Sequence, residues 1–214
     1  MVKNIIKKIG RRVRQRFVLS YIFERLATIG IQISPWYLCE ETLSDELTPY
    51  LKPKLEPITI GFLSLPQIEK VYTHPESKGL NFEKRKNLES GCVCFGLMYD
   101  NEIVAYTWYN LNRCHEGHLF PLKDDEAYIT GAFTFKAYRG KDLAPFLRYQ
   151  VNKHLCQNGR KKIYSLTNVF NTPAIKFKTK LKIKPVKIIL FVKLFNKYDW
   201  KFIIRSPKHF VTPI

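Results

Sequence analysis

Apolar residues recur every three to four positions from the start of the chain, at Ile5, Ile6, Ile9, Val13, Phe17, Tyr21 and Ile22. That spacing predicts a helix over residues 2–28. Lys7, Lys8, Arg11, Arg12, Arg14 and Arg16 lie between them, so the helix is basic and amphipathic. The period is then lost. Residues 34–57 hold Pro35, Pro49, Pro53 and Pro57 with Glu40, Glu41, Asp45 and Glu46, which reads as a linker with room for one short helix. From residue 58 onward, short β-rich runs alternate with helical ones. Strands are expected at Ile58–Leu63, Cys92–Tyr99, Glu102–Leu111, Glu126–Phe135, Lys162–Thr167, Val186–Leu194 and Trp200–Arg205. Helices are expected at Pro66–Tyr72, Phe82–Glu89, Leu143–Cys156 and Pro173–Leu181. Asp100-Asn101 suits a two-residue hairpin turn, because both residues tolerate positive φ. Two regions follow: 1–57, a basic helix and linker, and 58–214, a compact domain. Antiparallel meanders around a central strand-helix-strand unit predict an α/β fold of the α+β type. Its central sheet is mixed, mostly antiparallel, with helices on both faces.

Composition excludes a disordered chain: 45% of the 214 residues are hydrophobic and 14% aromatic. The five cysteines are too scattered for a disulfide scaffold, and their odd number suits a reducing, cytoplasmic setting. No run of about 18 apolar residues occurs, so no membrane span is expected. The apolar run Phe17–Phe23 follows a basic lead as in a signal peptide, but it stops at Glu24-Arg25 and no small-residue cleavage site follows closely. The net charge of +18 is uneven. Residues 1–25 hold eight basic residues and one acid, residues 26–135 nine and fifteen, and residues 136–214 nineteen and two. Such ends call for an anionic partner: a phosphate-bearing cofactor, anionic lipid or nucleic acid. The N-terminal helix has the same choice. It either lies on the inner face of an anionic membrane, packs on the body of the protein or a partner, or meets nucleic acid.

Chemistry concentrates between Tyr128 and Ile183. A strand ending at Phe133-Thr134-Phe135 leads into the turn Lys136–Ala144 and then a helix. Such a turn aims backbone N–H groups and the positive helix end at one spot, which favours phosphate. Arg139, Lys141 and Arg148 add positive charge around it.

Here the sequence resembles the GNAT superfamily of acyl-coenzyme A-dependent N-acyltransferases. The family pattern, Arg or Gln, two residues, Gly, one residue, Gly or Ala, is met at its ends by Arg139-Gly140-Lys141-Asp142-Leu143-Ala144. Asn171-Thr172-Pro173-Ala174-Ile175 and Lys180-Leu181-Lys182-Ile183 follow the family's later asparagine, alanine-isoleucine and leucine-glycine-phenylalanine run. The order of elements fits over residues 58–205. The resemblance implies an acyl-CoA, typically acetyl-CoA, whose pantetheine arm pairs with backbone around Phe133, Thr134 and Phe135. Its pyrophosphate would rest on Arg139, Gly140, Lys141, Asp142, Leu143 and Ala144, and Asn171 would contact it near the thiol. An acceptor amine would attack the thioester directly. Two departures bear on the chemistry. The family's central glycine is Asp142, a carboxylate that repels phosphate unless it turns away to cap the helix. The tyrosine that often protonates the departing thiolate falls at Lys178.

The base is unmarked. Asp124, Asp125 and Glu126 precede the strand, and His115, Glu116 and His118 lie in the loop before it; Glu126 and His118 are the preferred candidates. Each reads equally as a solvated loop residue. Cys114, His115 and His118 lack a second cluster and do not make a metal site. Cys92 and Cys94 read as buried thiols. Tyr106, Trp108 and Tyr109 straddle both faces of one strand, one face being core and the other either core or the lining of an acceptor pocket. The function this implies is N-acyl transfer to an anionic acceptor such as a nucleotide- or lipid-linked amino sugar of surface-polysaccharide synthesis. The alternatives are a basic-surface protein that binds anionic membrane or nucleic acid on a degenerate fold, and a protein or peptide N-acetyltransferase.

Overall fold

The computed structural model describes residues 18–41, 52–77, 86–113 and 120–204. They fall into two compact units: a larger one, Glu40–Ser165, and a smaller one from Met1–Cys39 with Leu166–Ile214.

In the larger unit the strands are β2 (Thr59–Phe62), β3 (Val93–Tyr99), β4 (Glu102–Asn110), β5 (Glu126–Thr134) and the first part of β6 (Lys162–Asn168), neighbours in that order. β2–β3, β3–β4 and β4–β5 are antiparallel, and β5–β6 is parallel. Asp100 and Asn101, both at positive φ (49° and 61°), close the β3–β4 hairpin as their side chains predict. The sheet buries both faces. On one, Leu143, Leu147, Val151 and Leu155 of α3 (Leu143–Gln157) pack on Phe95, Leu97, Ala105, Tyr109, Ile129 and Ile163. On the other, Ile68, Val71 and Tyr72 of α2 (Leu65–Thr73) pack on Cys92, Cys94, Tyr106, Trp108 and Phe135. The mixed sheet with a helix on each face is therefore as expected. So is the burial of Cys92 and Cys94, which pushes both thiols up from their ordinary 9.0.

The smaller unit holds α1, described over residues 18–28, α4 (Thr172–Lys180) and strands β1 (Ile31–Glu41), β7 (Lys184–Leu194) and β8 (Tyr198–Ile204), neighbours in the order β1-β7-β8. β1 corrects the linker reading of residues 34–41: Pro35 sits inside an eleven-residue strand. Proline cannot donate to a ladder but still accepts, and the Pro35 carbonyl takes the Val169 N–H at 3.0 Å. The apolar run Trp36–Cys39 decided the element, with Tyr37, Leu38 and Cys39 buried.

Glu41, counted among linker acids, is also fully buried. Its Oε2 accepts from the Asn152 amide at 3.2 Å and lies 3.7 Å from Arg148 Nε, and its Oε1 accepts from the Ser165 hydroxyl. Charge pairing in the interior, absent from any local pattern, is what holds a carboxylate there. Expectations for residues 2–17, for 82–85 of the Phe82–Glu89 helix and for residue 205 lie outside the described residues; residues 86–89 are helical.

Candidate active site

The site is built on β5. Its parallel pairing with β6 runs from Glu126↔Lys162 to Ile129↔Ser165 and ends there. β5 itself continues to Thr134. On its other side it pairs with β4 through a bulge: Trp108 faces Thr130 and Tyr106 faces Phe133, so Gly131 and Ala132 together oppose Thr107. The Thr107 hydroxyl donates to the Thr130 carbonyl at 3.1 Å and so satisfies the group the bulge displaces. Gly131 takes φ 59°, and a Cβ there would meet Trp108 at 3.1 Å, so conformation and space both require glycine. A bulge bends and over-twists its strand, and within the larger unit the β5 edge from Thr130 onward has no β6 residue paired to it. Gly131 and Ala132 are exposed on that edge, and Phe133 and Thr134 are half-buried. A strand edge with free N–H and C=O groups can take an extended amide-bearing ligand as an added strand.

The chain then turns. Tyr138 and Arg139 donate their N–H groups to Phe135 and Lys136, closing a tight helical turn over Lys136–Tyr138. Glu76 braces it by accepting the Lys136 N–H at 2.8 Å. Arg139 Nε donates to the Thr134 carbonyl at 3.0 Å, and its guanidinium lies 5.8 Å from the Phe133 ring centre. Lys141 stands 5.4 Å from the Tyr138 ring, and the Tyr138 hydroxyl donates to Glu102. Gly140 takes φ 76° with open space where a Cβ would sit. α3 starts at Leu143, and the Phe146 N–H to Asp142 carbonyl bond is its first. The N–H groups of Leu143 and Ala144 thus head the helix, while Pro145 brings none. Phe133 and Thr134 end β5, Phe135 follows it, and the run Arg139–Ala144 forms the turn and the start of α3.

Asp142 is a correction in detail. It is the N-cap residue, yet its carboxylate makes no bond to the helix N–H groups. Capping needs an extended backbone, and Asp142 is left-handed at φ 58°. This is the conformation a glycine would adopt and one that aspartate tolerates. Its carboxylate lies 3.4 Å from Lys54 Nζ, and the Lys54 N–H donates to the Lys141 carbonyl at 3.0 Å. Lys54, from a stretch read as linker, therefore offsets a charge that would repel phosphate.

The remaining expected residues are elsewhere. Glu126 is buried at the opposite end of β5, accepting from the Lys123 N–H at 3.1 Å and the Tyr164 hydroxyl at 3.3 Å. Burial, then the Glu126 charge, pushes the Tyr164 phenol up to about 12. Five residues of strand separate Glu126 from Gly131, roughly 16 Å. His118 lies outside the described residues. Asn171 belongs to the smaller unit, where its Oδ1 caps α4 by accepting the Ala174 N–H at 3.1 Å. Lys178, at the family's tyrosine position, is buried in the same helix. Tyr106, Trp108 and Tyr109 are all core, on both faces of β4. The Trp108 indole N–H is nevertheless buried without a hydrogen-bond partner among the described residues, beside Gly131. Gly131 and Lys54 were missed from sequence; a lone glycine inside a strand pattern is the signal for the former.

The family model of the GNAT acetyltransferases matches residues 60–182, more than half the chain, and spans β5 and the Arg139–Ala144 turn but not Lys54. The chain belongs to the GNAT acetyltransferase family. No curated protein matches it. Among solved structures, a GNAT-family protein from Novosphingobium aromaticivorans is 16% identical, with 77% of this chain and 66% of that one covered and a TM-score of 0.50. A GCN5-related N-acetyltransferase-like protein from Streptococcus suis is 13% identical over 82% of this chain and 67% of that one, TM-score 0.54. A GCN5-related glucosamine N-acetyltransferase region of a fungal multi-domain GH3 β-N-acetylglucosaminidase is 13% identical over 82% of this chain and 22% of that one, TM-score 0.56. At these identities the likeness is one of GNAT fold, and the chain spans two thirds or less of the Novosphingobium protein and far less of the fungal one.

Proposed function

We propose that the protein is an acyl-CoA-dependent N-acyltransferase that uses acetyl-CoA. The observation that carries this is the β5 edge, unpaired with β6 from Thr130 within the larger unit and leading through Lys136–Tyr138 into the Arg139–Ala144 turn. Phe133 to Phe135 would pair with the amide groups of the pantetheine arm. Arg139, Lys141 and the N–H groups of Leu143 and Ala144 would hold the pyrophosphate, with Asp142 drawn toward Lys54. Bound there, acyl-CoA supplies an activated acyl group as a thioester. The protein's task is to orient it beside an acceptor amine and to take the amine's proton. Glu126 and His118 are the proposed bases, and a proton passing from the bulge to Glu126 would be carried over roughly 16 Å. Asn171 is proposed to meet the cofactor near its thiol. With lysine at position 178 in place of the family's tyrosine, solvent would supply the proton that coenzyme A needs on release.

The acceptor is proposed to be an anionic amino sugar, nucleotide- or lipid-linked, acetylated at the cytoplasmic face of a membrane with peripheral contact through the basic N-terminal helix. Net charge +18 supports an anionic acceptor, and a fold neighbour described as a glucosamine N-acetyltransferase region supports the amino sugar. Isothermal titration with acetyl-CoA and coenzyme A, beside Arg139→Glu, tests the reading. Binding that the folded variant loses is the expected result; no binding by the wild-type protein overturns it.

A further inference from the structure

Among the described residues, the β7–β8 hairpin leaves an apolar face uncovered. Residues two apart on a strand share a face, and the antiparallel register pairs Ile188↔Ile204, Leu190↔Phe202, Val192↔Trp200 and Leu194↔Tyr198. All eight side chains on that face are apolar or aromatic. Tyr198, Trp200, Phe202 and Ile204 are 50%, 45%, 51% and 46% exposed, and their four partners on β7 are half-buried. Tyr198 and Trp200 stack with ring centres 6.0 Å apart, which fixes both on the same side. Phe195 in the connecting turn is more exposed still. Soluble proteins seldom leave so continuous a stripe without a use for it. Lys184, exposed, shares the stripe's face at its far end and Lys197 stands in the turn at the other; Lys187, Lys193 and Lys201 belong to the opposite face, where Lys193 lies 3.8 Å from Asp199.

We propose that this hairpin face docks on an anionic lipid bilayer. Tyr and Trp favour the headgroup boundary, where one end of the ring is apolar and the other wet. Lys184 and Lys197, at the two ends of the stripe, meet negative headgroups, each adding to attraction that fades within a Debye length. Nucleic acid would use the aromatic rings and the lysines but gains nothing from Ile188, Leu190, Val192, Leu194 and Ile204, which a bilayer buries. The inference rests on the membrane-contact part of the proposed function and moves that contact from the N-terminal helix to a β-hairpin.

Co-sedimentation of the full chain with vesicles of phosphatidylcholine alone, and of phosphatidylcholine with phosphatidylglycerol, tests it. Partition onto the anionic vesicles is expected, falling with salt and shifting Trp200 fluorescence to the blue. Trp200→Thr with Phe202→Thr keeps strand-forming residues and should weaken that partition about tenfold or more, with circular dichroism unchanged. Lys7→Glu with Arg11→Glu should weaken it less. Partition that survives the hairpin variant but is lost in the helix variant overturns the hairpin and keeps membrane contact. No partition of the wild-type chain overturns both. Aromatic-dependent binding of a single-stranded oligonucleotide without vesicle partition, or a dimer in solution that the hairpin variant dissolves, replaces the bilayer with that occupant.

Discussion

The larger unit, Glu40–Ser165, contains seventeen basic and sixteen acidic residues; the smaller unit contains nineteen basic and two acidic. Among the described residues, the larger unit exposes three large hydrophobic side chains, Ile60, Phe62 and Leu65. The smaller exposes eleven, from Val18 and Tyr21 of α1 to Ile204 of β8. One unit is near neutral and turns its apolar residues into two clusters around a sheet. The other is strongly cationic and keeps much of its apolar surface outward. Neutrality and burial suit a unit that must hold a strand edge and a turn rigidly. Positive charge with exposed apolar surface suits a unit whose partner is a large anionic surface. A total of +18 says nothing of this division.

Substitutions should separate the two units by the kind of damage they do. The largest effect is expected from Glu41→Ala, which removes the carboxylate that Arg148, Asn152 and Ser165 share in the interior of the larger unit. Denaturant unfolding should show a loss of about 3–5 kcal/mol. By contrast, Trp200→Thr in the smaller unit should change stability by no more than about 0.5 kcal/mol in the same assay, because the side chain is already half exposed. A large loss there would break the comparison by making β8 part of a core.

Gly131→Val should come next, costing about 1–3 kcal/mol through left-handed strain and collision with Trp108. It should also abolish coenzyme A binding as the bulge reforms. Gly140→Val meets no neighbour, so it should cost about 1 kcal/mol from backbone strain alone and lower coenzyme A affinity several-fold by titration. Asp142→Gly relieves a like charge beside the phosphate turn and suits φ 58°, so coenzyme A should bind a few-fold tighter, most clearly at low salt. A weaker complex would mean that the pairing with Lys54 organises the turn.

The smallest effect concerns pH. The Tyr164 phenol is held up to about 12 in the folded protein against an ordinary 10.0. The unfolded chain therefore loses that proton first, and the stability it contributes below pH 10 should fall away between about pH 10 and 12. Tyr164→Phe should flatten that part of the unfolding profile and leave the rest of it unchanged.

Most of the larger unit was legible in the sequence, because its elements follow from local rules. Short β-rich runs made β3, β4 and β5, the Asp100-Asn101 pair made the hairpin, and the Asn158-Gly159 stop ended α3 one residue beyond the expected boundary. The phosphate turn was legible for a different reason: Arg139-Gly140 and the following helix lie within a few residues of one another. β1 was not legible. Its proline and acids carry the local marks of a linker, and only burial of Tyr37, Leu38 and Cys39 together with the pairing of Glu41 reverses them.

The sequence by itself determined the alternation of elements, the basic excess and the chemistry of the turn, since each depends on neighbours along the chain. The tertiary structure alone decided that β5 pairs with β6 from Glu126↔Lys162 to Ile129↔Ser165, because strand pairing joins residues more than thirty positions apart. It decided that Lys54 faces Asp142, a contact spanning two segments that no spacing rule connects. It also decided which apolar stripe stays in water. Ile188 to Leu194 and Tyr198 to Ile204 carry the same alternating or continuous apolar pattern as buried strands. What distinguishes them is whether another layer is packed on top, a fact set by the whole fold and not by the strand.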